Sequence, residues 1–181
     1  MIQNLNTLRR IVVTGPESTG KTELAKALSE RLNGNWIPEY AREYVENLHH
    51  PYDYGDVVRI AQHQIHQEQE ASAGIGNGFL IFDTWLIITK VWFDQVYGHS
   101  PGWITDYIRS SEIDLFLVCD TDLPWLADPV RENGGEMRDR LLKIYCQEIE
   151  NFGFEYEIIG GFGNERVENA LAALYKHGLK L

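Results

Sequence analysis

The sequence predicts an α/β fold in which a five-stranded, mainly parallel sheet is flanked by helices. Short apolar runs alternate along the chain with amphipathic stretches of helical length, and this alternation is typical of a parallel sheet with helical crossovers. A chain of 181 residues is long enough to bury one substantial core. Because the sequence contains neither a repeat nor a linker, we expect residues 1–181 to form a single domain.

Five runs have the composition of strands. Residues 10–14 are rich in β-branched side chains, and residues 79–82 form a continuous apolar run that ends at Asp83. Such a run is typical of a parallel strand buried on both faces. The remaining strands are predicted at residues 36–37, 114–119 and 154–159.

Seven further segments are predicted to be helices. In one of them Val57, Val58, Ala61 and Ile65 recur at helical spacing and form one apolar stripe. The sequence therefore predicts helices over residues 21–33, 39–48, 56–73, 84–97, 103–110, 136–152 and 165–177.

The charge composition excludes several classes of partner. The chain has 16 Lys and Arg residues against 27 Asp and Glu residues, which gives a formal net charge of −11. Such an acidic body repels phosphate backbones, so we expect no nucleic-acid partner, and an anionic ligand needs a locally positive pocket. The chain has only two cysteines and neither a signal-like start nor a membrane-length apolar stretch. We therefore expect a cytoplasmic protein without a membrane partner, and no sequence feature specifies an oligomeric state.

A phosphate-binding motif follows the first strand. The segment from Gly15 to Thr22 matches G-x-x-x-x-G-K-[ST] at every fixed position and opens a predicted helix. The glycines allow backbone conformations that side chains block, so that loop N–H groups can surround phosphate oxygens. Lys21 supplies a charge for the β- and γ-phosphates, and Thr22 supplies a hydroxyl for Mg²⁺. The motif predicts a P-loop NTPase whose nucleotide contacts are Gly15, Pro16, Glu17, Ser18, Thr19, Gly20, Lys21 and Thr22.

Asp83 is a candidate metal and catalytic residue. It ends the third strand, and open α/β sheets bind their ligands at the carboxyl ends of strands. A carboxylate at this place can hold Mg²⁺, directly or through water, or contact a substrate hydroxyl. The alternative is an aspartate that only caps the next helix.

A second acidic segment follows the second strand, with the sequence Glu39-Tyr40-Ala41-Arg42-Glu43. In kinases of small molecules this region faces the acceptor. A carboxylate there can anchor acceptor hydroxyls or take the hydroxyl proton. The alternative is a solvated helix start, because acids favour the first helical turn.

Three arginines lie close together in an otherwise acidic chain. They surround Gly134-Gly135, which predicts a mobile, arginine-bearing flap. Arginines on a flap can close over transferring phosphates and stabilise their charge. The alternative is salt bridging with neighbouring acids. The arginines are Arg131, Arg138 and Arg140, and the acids are Glu132, Glu136 and Asp139.

Taken together, these features favour a kinase of a small metabolite, because the guanine-reading Asn-Lys-x-Asp pattern of GTPases and the long appendages of motors do not occur. The chain resembles the ribosylnicotinamide kinase domain of the NadR family, which is related to AAA-type ATPases. The resemblance runs from Ile11 to about Leu174. It is carried by residues 15–22, 39–43, 63–64, 82–84 and 125–131 and by the arginines of the flap.

The resemblance implies a nucleoside-kinase-like fold that transfers the γ-phosphate of ATP, with Mg²⁺, to the 5′-hydroxyl of nicotinamide riboside. Multidomain members also carry an adenylyltransferase and a DNA-binding domain. The chain begins within ten residues of the first strand, so we expect it to lack both. Two alternatives stay open: a kinase of another nucleoside or vitamin alcohol, and a regulatory P-loop ATPase or switch.

The resemblance also implies roles for individual residues. Lys21 holds phosphates, Glu39 or Asp83 orients and deprotonates the acceptor hydroxyl, and Arg131 with Arg138 or Arg140 closes over the transfer. The expected acceptor contacts are Glu39, Tyr40, Arg42, Asp83, Trp85 and Tyr97. Some members have an aromatic residue where this chain has Pro38. The ring that stacks on the acceptor base is therefore Tyr40, Trp36, Trp85 or Tyr97.

Overall fold

The computed structural model describes residues 7–126 and 133–179. Five strands and seven helices lie in these ranges and alternate along most of the chain. The strands are β1 (Leu8–Thr14), β2 (Asn35–Ile37), β3 (Gly78–Asp83), β4 (Leu115–Cys119) and β5 (Tyr156–Ile159). The helices are α1 (Lys21–Arg31), α2 (Tyr40–Glu46), α3 (Tyr54–Gly74), α4 (Leu86–Tyr97), α5 (Gly102–Ser110), α6 (Glu136–Asn151) and α7 (Asn164–Lys176).

The strands form one parallel sheet in the order β2-β3-β1-β4-β5. In its centre Val12 of β1 pairs with Phe82 of β3 on one side and with Phe116 of β4 on the other. The predicted fold class is therefore confirmed.

Two apolar cores lie on opposite faces of the sheet. Along β1, Ile11 and Val13 join the core that contains residues of α1 and α7, whereas Val12 joins the core that contains residues of α3, α4, α5 and α6. This alternation follows from the period of two of a strand. The continuous apolar runs found in the sequence are thus explained by burial on both faces.

The parallel arrangement brings the carboxyl ends of all strands to one edge of the sheet. Thr14 ends β1 at this edge, and Asp83, which pairs with Val13, ends the neighbouring β3. In the sheet β1 is flanked by β3 on one side and by β4 on the other. The chain therefore changes direction across the sheet at β1, and open α/β sheets form their binding crevice at such a switch point.

The start of α4 differs from the sequence prediction. This helix begins at Leu86 and not at residue 84. Thr84 has a left-handed backbone with φ of 67°, and Trp85 is extended. The chain thus turns sharply after Asp83 before it enters the helix. None of the helices in the described ranges has both the length and the apolar character needed to cross a membrane.

Candidate active site

The phosphate loop connects β1 to α1, as the motif requires. Gly15 has φ of 135°, and a Cβ atom placed on it would lie 2.8 Å from the carbonyl oxygen of Cys119. Gly20 has φ of 74° and directly precedes α1. Both glycines are therefore required by the path of the backbone, the first also by its close approach to the end of β4.

Hydrogen bonds within the loop hold it in a closed turn. The Thr19 hydroxyl donates to the carbonyl oxygen of Pro16 over 2.8 Å, and the Lys21 ammonium donates to the same oxygen over 2.9 Å. A charged phosphate oxygen is a stronger acceptor than a peptide carbonyl. We therefore expect the Lys21 ammonium to leave the Pro16 carbonyl oxygen and to donate to a phosphate oxygen when a nucleotide binds.

Asp83 is a buried carboxylate without a good partner. It is 1% exposed, and within the described ranges neither carboxylate oxygen accepts a well-formed hydrogen bond. Burial raises the pKa of Asp83, while the nearby Thr22 hydroxyl and the charge of Lys21 lower it. Because an ionised carboxylate in such a place needs a cation, this site fits Mg²⁺ held by Asp83 and Thr22.

A second carboxylate, Glu39, lies within electrostatic reach of the first. It is the partly buried residue at the N-terminus of α2. Burial raises the pKa of Glu39, and the charges of Asp83 and Glu17 raise it further against the opposing effects of Lys21 and Arg42. The structure thus brings Glu39, Asp83 and Lys21 together at one edge of the sheet.

A small cleft adjoins Asp83 and contains two of the four aromatic residues considered for stacking. Tyr40 lines it and stacks on the His63 ring, with 3.6 Å between the ring centroids. Trp85 also lines it, but it is 1% exposed, and its indole N–H donates to Glu68 over 2.8 Å. The full lining is Ile37, Pro38, Tyr40, Gln64, Gln67, Phe82, Asp83, Thr84 and Trp85.

The other two aromatic candidates lie elsewhere. The Trp36 ring lies under the ammonium of Lys26, 4.6 Å from the ring centroid. Tyr97 packs edge-on against Tyr54 and does not line the cleft. A larger apolar cavity between α1 and α7 shares no lining residue with the cleft or the phosphate loop.

The predicted arginines occupy different environments. Arg138 is buried and donates to the carbonyl oxygens of Ser18 (3.2 Å) and Leu123 (3.0 Å), so that it supports the phosphate loop from below. Arg140 is exposed on α6, and Arg131 lies outside the described residues. Arg42 pairs with Glu46 of its own helix over 2.8 Å.

Glu17, a variable position of the motif, connects the loop to the segment before α6. Its carboxylate accepts hydrogen bonds from the backbone N–H of Asn133 over 2.9 Å and from the Asn133 side chain over 3.1 Å. The sequence assigned this residue to the nucleotide only through its backbone. The side-chain contact spans more than a hundred positions of the chain, so local sequence gave no sign of it.

Sequence reasoning missed one further residue at the loop, Arg166. It is 4% exposed, and one of its guanidinium nitrogens donates to the carbonyl oxygen of Thr19 over 2.7 Å. In the sequence it lies in the first turn of α7, close to the polar residues Asn164, Glu165 and Glu168. Nothing there distinguished it from a solvated arginine.

The loop, the carboxylate at the end of the neighbouring strand and the parallel sheet define a nucleotide-binding P-loop protein. The chain belongs to the AAA domain family, whose model matches residues 10–166. This match covers most of the chain and contains the loop, Glu39 and Asp83.

Curated relatives point to one group of proteins within this class. The chain is 24% identical over 155 residues to the trifunctional NAD biosynthesis/regulator protein NadR of Escherichia coli, covering 82% of this chain and 37% of that protein. It is 26% identical over 134 residues to NadR of Salmonella typhimurium, covering 72% of this chain and 32% of the relative. The chain thus spans about a third of the length of these relatives. The resemblance to the NadR family found in the sequence is confirmed.

Solved structures agree with the fold. A NadR structure in complex with NR matches with a TM-score of 0.76 and 22% identity over 96% of this chain and 50% of that chain. A NadR complex with NAD and AMP-PNP matches with a TM-score of 0.74 and 24% identity over the same shares. Thymidylate kinase from Ehrlichia chaffeensis matches with a TM-score of 0.63 and 13% identity over 94% of this chain and 98% of that chain. The fold is therefore shared with about half of the NadR chain and with thymidylate kinase.

Proposed function

We propose that the protein transfers the γ-phosphate of ATP to the 5′-hydroxyl of nicotinamide riboside and so forms nicotinamide mononucleotide. The observation that carries the proposal is the pair of carboxylates Asp83 and Glu39 beside the phosphate-loop lysine. The match to NadR structures in complex with NR and in complex with NAD and AMP-PNP supports the choice of both substrates. The proposal treats residues 1–181 as one kinase domain.

The donor end of the site is the phosphate loop. Its N–H groups and the N-terminus of α1 surround the phosphates, and Lys21 leaves the Pro16 carbonyl to contact them. An AMP-PNP complex of NadR supports an adenine nucleotide as donor. Arg131 and Arg140 remain proposed contacts of the transferring phosphate, whereas Arg138 would act from beneath the loop.

Thr22 and Asp83 would hold Mg²⁺. The unpaired carboxylate oxygens of Asp83 are the structural support for this assignment. When bound, the metal neutralises charge on the phosphate oxygens. In the residues that the structure describes, no three His, Cys, Asp or Glu side chains form a metal cluster. In kinases Mg²⁺ binds through one or two protein ligands together with substrate phosphates, so that Thr22 and Asp83 would be a sufficient set of protein ligands.

The acceptor end is the cleft beside Asp83. A hydroxyl in line with the γ-phosphate must lie within hydrogen-bond reach of a carboxylate that orients it and takes its proton. Asp83 ends the strand next to the loop and is the better placed of the two for this task. Glu39 would hold ribose hydroxyls, with Tyr40 and Trp85 against the base and Arg42 nearby. Tyr97, which does not line the cleft, would contribute only through its packing on Tyr54.

The charges around the acceptor favour a cationic base. Glu39 interacts with the carboxylates of Asp83 and Glu17 and with two cations, Lys21 and Arg42. Once Lys21 is engaged by phosphate, the acceptor end is left acidic. A pyridinium ring relieves this repulsion, whereas a neutral base does not.

The test is acceptor-dependent release of ADP from Mg-ATP. A panel should include nicotinamide riboside, its reduced and uncharged dihydro form as a matched control, ordinary nucleosides and vitamin alcohols. We expect nicotinamide riboside to give the highest kcat/KM and the dihydro form a value at least about tenfold lower, since removal of an attractive charge costs about 1.4 kcal/mol or more. The phosphorylated product is identified by mass spectrometry.

Other outcomes of the same panel identify the alternatives. A different preferred nucleoside or vitamin alcohol would keep the kinase and replace its acceptor. ATP hydrolysis that no acceptor stimulates would indicate a regulatory ATPase or switch. We also propose a cytoplasmic location, because Cys119 and Cys146 are both free thiols in the structure.

A further inference from the structure

The outer surface of the phosphate loop contains carbonyl groups that need partners. A loop that turns its N–H groups towards a phosphate must direct carbonyl oxygens away from it, and buried carbonyls require hydrogen bonds. In this protein two arginines supply them from beneath the loop. Arg138 donates to the oxygen of Ser18, and Arg166 donates to that of Thr19.

The segment that these arginines hold has an unusual backbone. Ser18 has φ of 60° and Gly20 has φ of 74°, so that Thr19 lies between two left-handed residues. The left-handed conformation is unfavourable for a residue with a side chain, and it persists only where surrounding contacts impose it. The Thr19 side chain is already engaged by Pro16. A hydrogen bond to the Thr19 carbonyl oxygen can therefore fix the orientation of this peptide.

Arg166 reaches that carbonyl from a fixed position. Its Nε atom donates to the carbonyl oxygen of Gly161 over 2.9 Å, and its Nη2 atom is in close contact with the Asp122 carboxylate. Asp122 in turn accepts the N–H of Gly161 over 2.7 Å. One guanidinium therefore connects the phosphate loop, the segment after β4 and the loop between β5 and α7.

This set of contacts is specific for arginine. Three acceptors lie around one planar group, and a guanidinium presents donors in a rigid fork that can satisfy all three. A lysine ammonium is a point charge on a flexible stem and cannot reproduce the arrangement. The charge is also compensated, because Asp122 is paired with it.

We propose that Arg166 is a positioning residue for the nucleotide: it holds the Thr19 peptide so that the loop keeps its phosphate-binding shape. The residue itself does not touch phosphate. The inference rests on the nucleotide-binding half of the proposed function and is independent of the identity of the acceptor. Loss of Arg166 should therefore weaken the binding of the nucleotide and leave the acceptor end largely intact.

The experiment measures Mg-AMP-PNP binding by titration calorimetry, the KM values for ATP and acceptor, and the melting temperature. It uses the full chain with Arg166→Lys and Arg166→Ala. We expect the nucleotide Kd to rise about tenfold or more, which corresponds to about 1.4 kcal/mol, because a hydrogen bond from a charged group to the loop is lost. The ATP KM should follow the Kd, and the acceptor KM should stay within about twofold. Millimolar guanidinium should partly restore binding in Arg166→Ala.

Arg31→Met is the matched control, since Arg31 at the end of α1 forms an exposed ion pair over 2.8 Å with Glu168, a residue of the helix that carries Arg166. It should change none of these values. A folded Arg166→Lys or Arg166→Ala protein with a nucleotide Kd within twofold of the original would overturn the proposal, as would equal increases in both KM values. If both variants fail to fold, Asp122→Asn decides: a threefold or greater rise in nucleotide Kd supports the proposal, and an unchanged Kd rejects it. If the original protein binds no nucleotide, the proposed function fails instead.

Discussion

At the scale of single residues, the site is made of charged groups in places that charged groups avoid. Asp83 is buried without a well-formed hydrogen bond in the described ranges, and the Lys21 ammonium donates to a loop carbonyl. Buried polar groups are normally paired, and exceptions concentrate at functional sites. In the proposed function, a metal-bound triphosphate would supply partners to both residues.

The first prediction concerns Lys21. Lys21→Ala removes the fixed positive side chain that follows charge on the transferring phosphoryl group, so we expect kcat to fall by about 10²-fold or more. Circular dichroism and the melting temperature should stay close to those of the original protein. Lys176→Met, at the far end of α7, is the control and should retain activity. A folded Lys21→Ala protein with near-normal turnover would contradict the role of the loop.

The second prediction separates the two carboxylates. Asp83→Asn keeps the shape of the side chain but removes its charge and most of its basicity, so we expect a deep loss of kcat with little change in acceptor KM. Glu39→Gln should raise the acceptor KM as well, because it weakens contacts with the ribose. Steady-state kinetics on both substrates measures the difference. A structure with bound acceptor in which both carboxylates lie more than about 6 Å from every acceptor hydroxyl would remove both roles.

The third prediction follows from the raised pKa of Asp83. A carboxyl group with a pKa above its ordinary 3.8 in the folded protein binds a proton more tightly there than in the unfolded chain. Its contribution to stability is therefore fully present below pH 3.8 and is lost as the pH rises through the higher folded value. At pH 7 without metal or nucleotide, Asp83→Asn should melt at a higher temperature than the original protein. The difference should shrink as the pH falls towards 4, and a less stable variant at pH 7 would contradict the burial argument.

Lys21 and Asp83 could be identified from the sequence because local patterns mark them. Lys21 belongs to a contiguous motif, and Asp83 follows an apolar run whose end fixes its place in any parallel sheet. Arg166 has neither signal, because its role depends on contacts with Thr19 and Asp122 that lie 147 and 44 positions away. Such contacts exist only once the chain has folded.

At the scale of elements, α2 is the helix of the site that depends most on contacts with its neighbours. It has only seven residues and none of them is buried. Helices this short are marginal in water without outside contacts. The contacts come from α3: Tyr40 stacks on His63, and the Tyr44 hydroxyl donates to the buried Asp56 carboxylate over 2.9 Å. The position of Glu39 therefore depends on α3.

The fourth prediction tests this dependence. Tyr44→Phe removes one hydroxyl that lies outside the cleft and keeps the ring. With its anchor weakened, α2 should hold the acceptor less well, so we expect the acceptor KM to rise several-fold while the ATP KM is unchanged. Tyr175→Phe, an exposed tyrosine on α7, is the control. Equal effects on both substrates would show that Tyr44 serves general stability instead.

The bounds of the elements show what composition can and cannot indicate. The predicted start of α3 at residue 56 is two residues late, although Asp53 and Asp56, which form a capping box three residues apart, mark the observed start at Tyr54 in the local sequence. The start of α4 cannot be predicted from the local sequence, because the turn after β3 imposes the left-handed backbone of Thr84. Threonine gives no sign of that conformation in a sequence.

At the scale of the whole molecule, alternation of strands and helices was sufficient for the fold class but not for the order β2-β3-β1-β4-β5. The order is set by which crossover packs on which face, and therefore by contacts between distant helices such as α1 and α7. Once the order is known, the placement of Asp83 follows, because β3 adjoins β1 and its register sets Asp83 beside Val13.

The net charge of −11 provides a reason for the proposed Mg²⁺ at the scale of the entire molecule. Free ATP is strongly anionic and meets an acidic protein, whereas the Mg²⁺ complex carries less charge and supplies the cation that Asp83 lacks.

The final prediction is that excess chelator abolishes ADP formation and that added Mg²⁺ restores it. Raising monovalent salt from about 0.1 M to 0.5 M should change kcat/KM only modestly, because the deciding contacts are shorter than the screening length and partly desolvated. The control is the melting temperature without nucleotide, which chelator should leave unchanged, since the described ranges hold no cluster of three metal-ligating side chains that would form a structural metal site. Full activity in excess chelator would contradict the assignment of Thr22 and Asp83, and a chelator-induced loss of folding would show that a metal supports the structure itself.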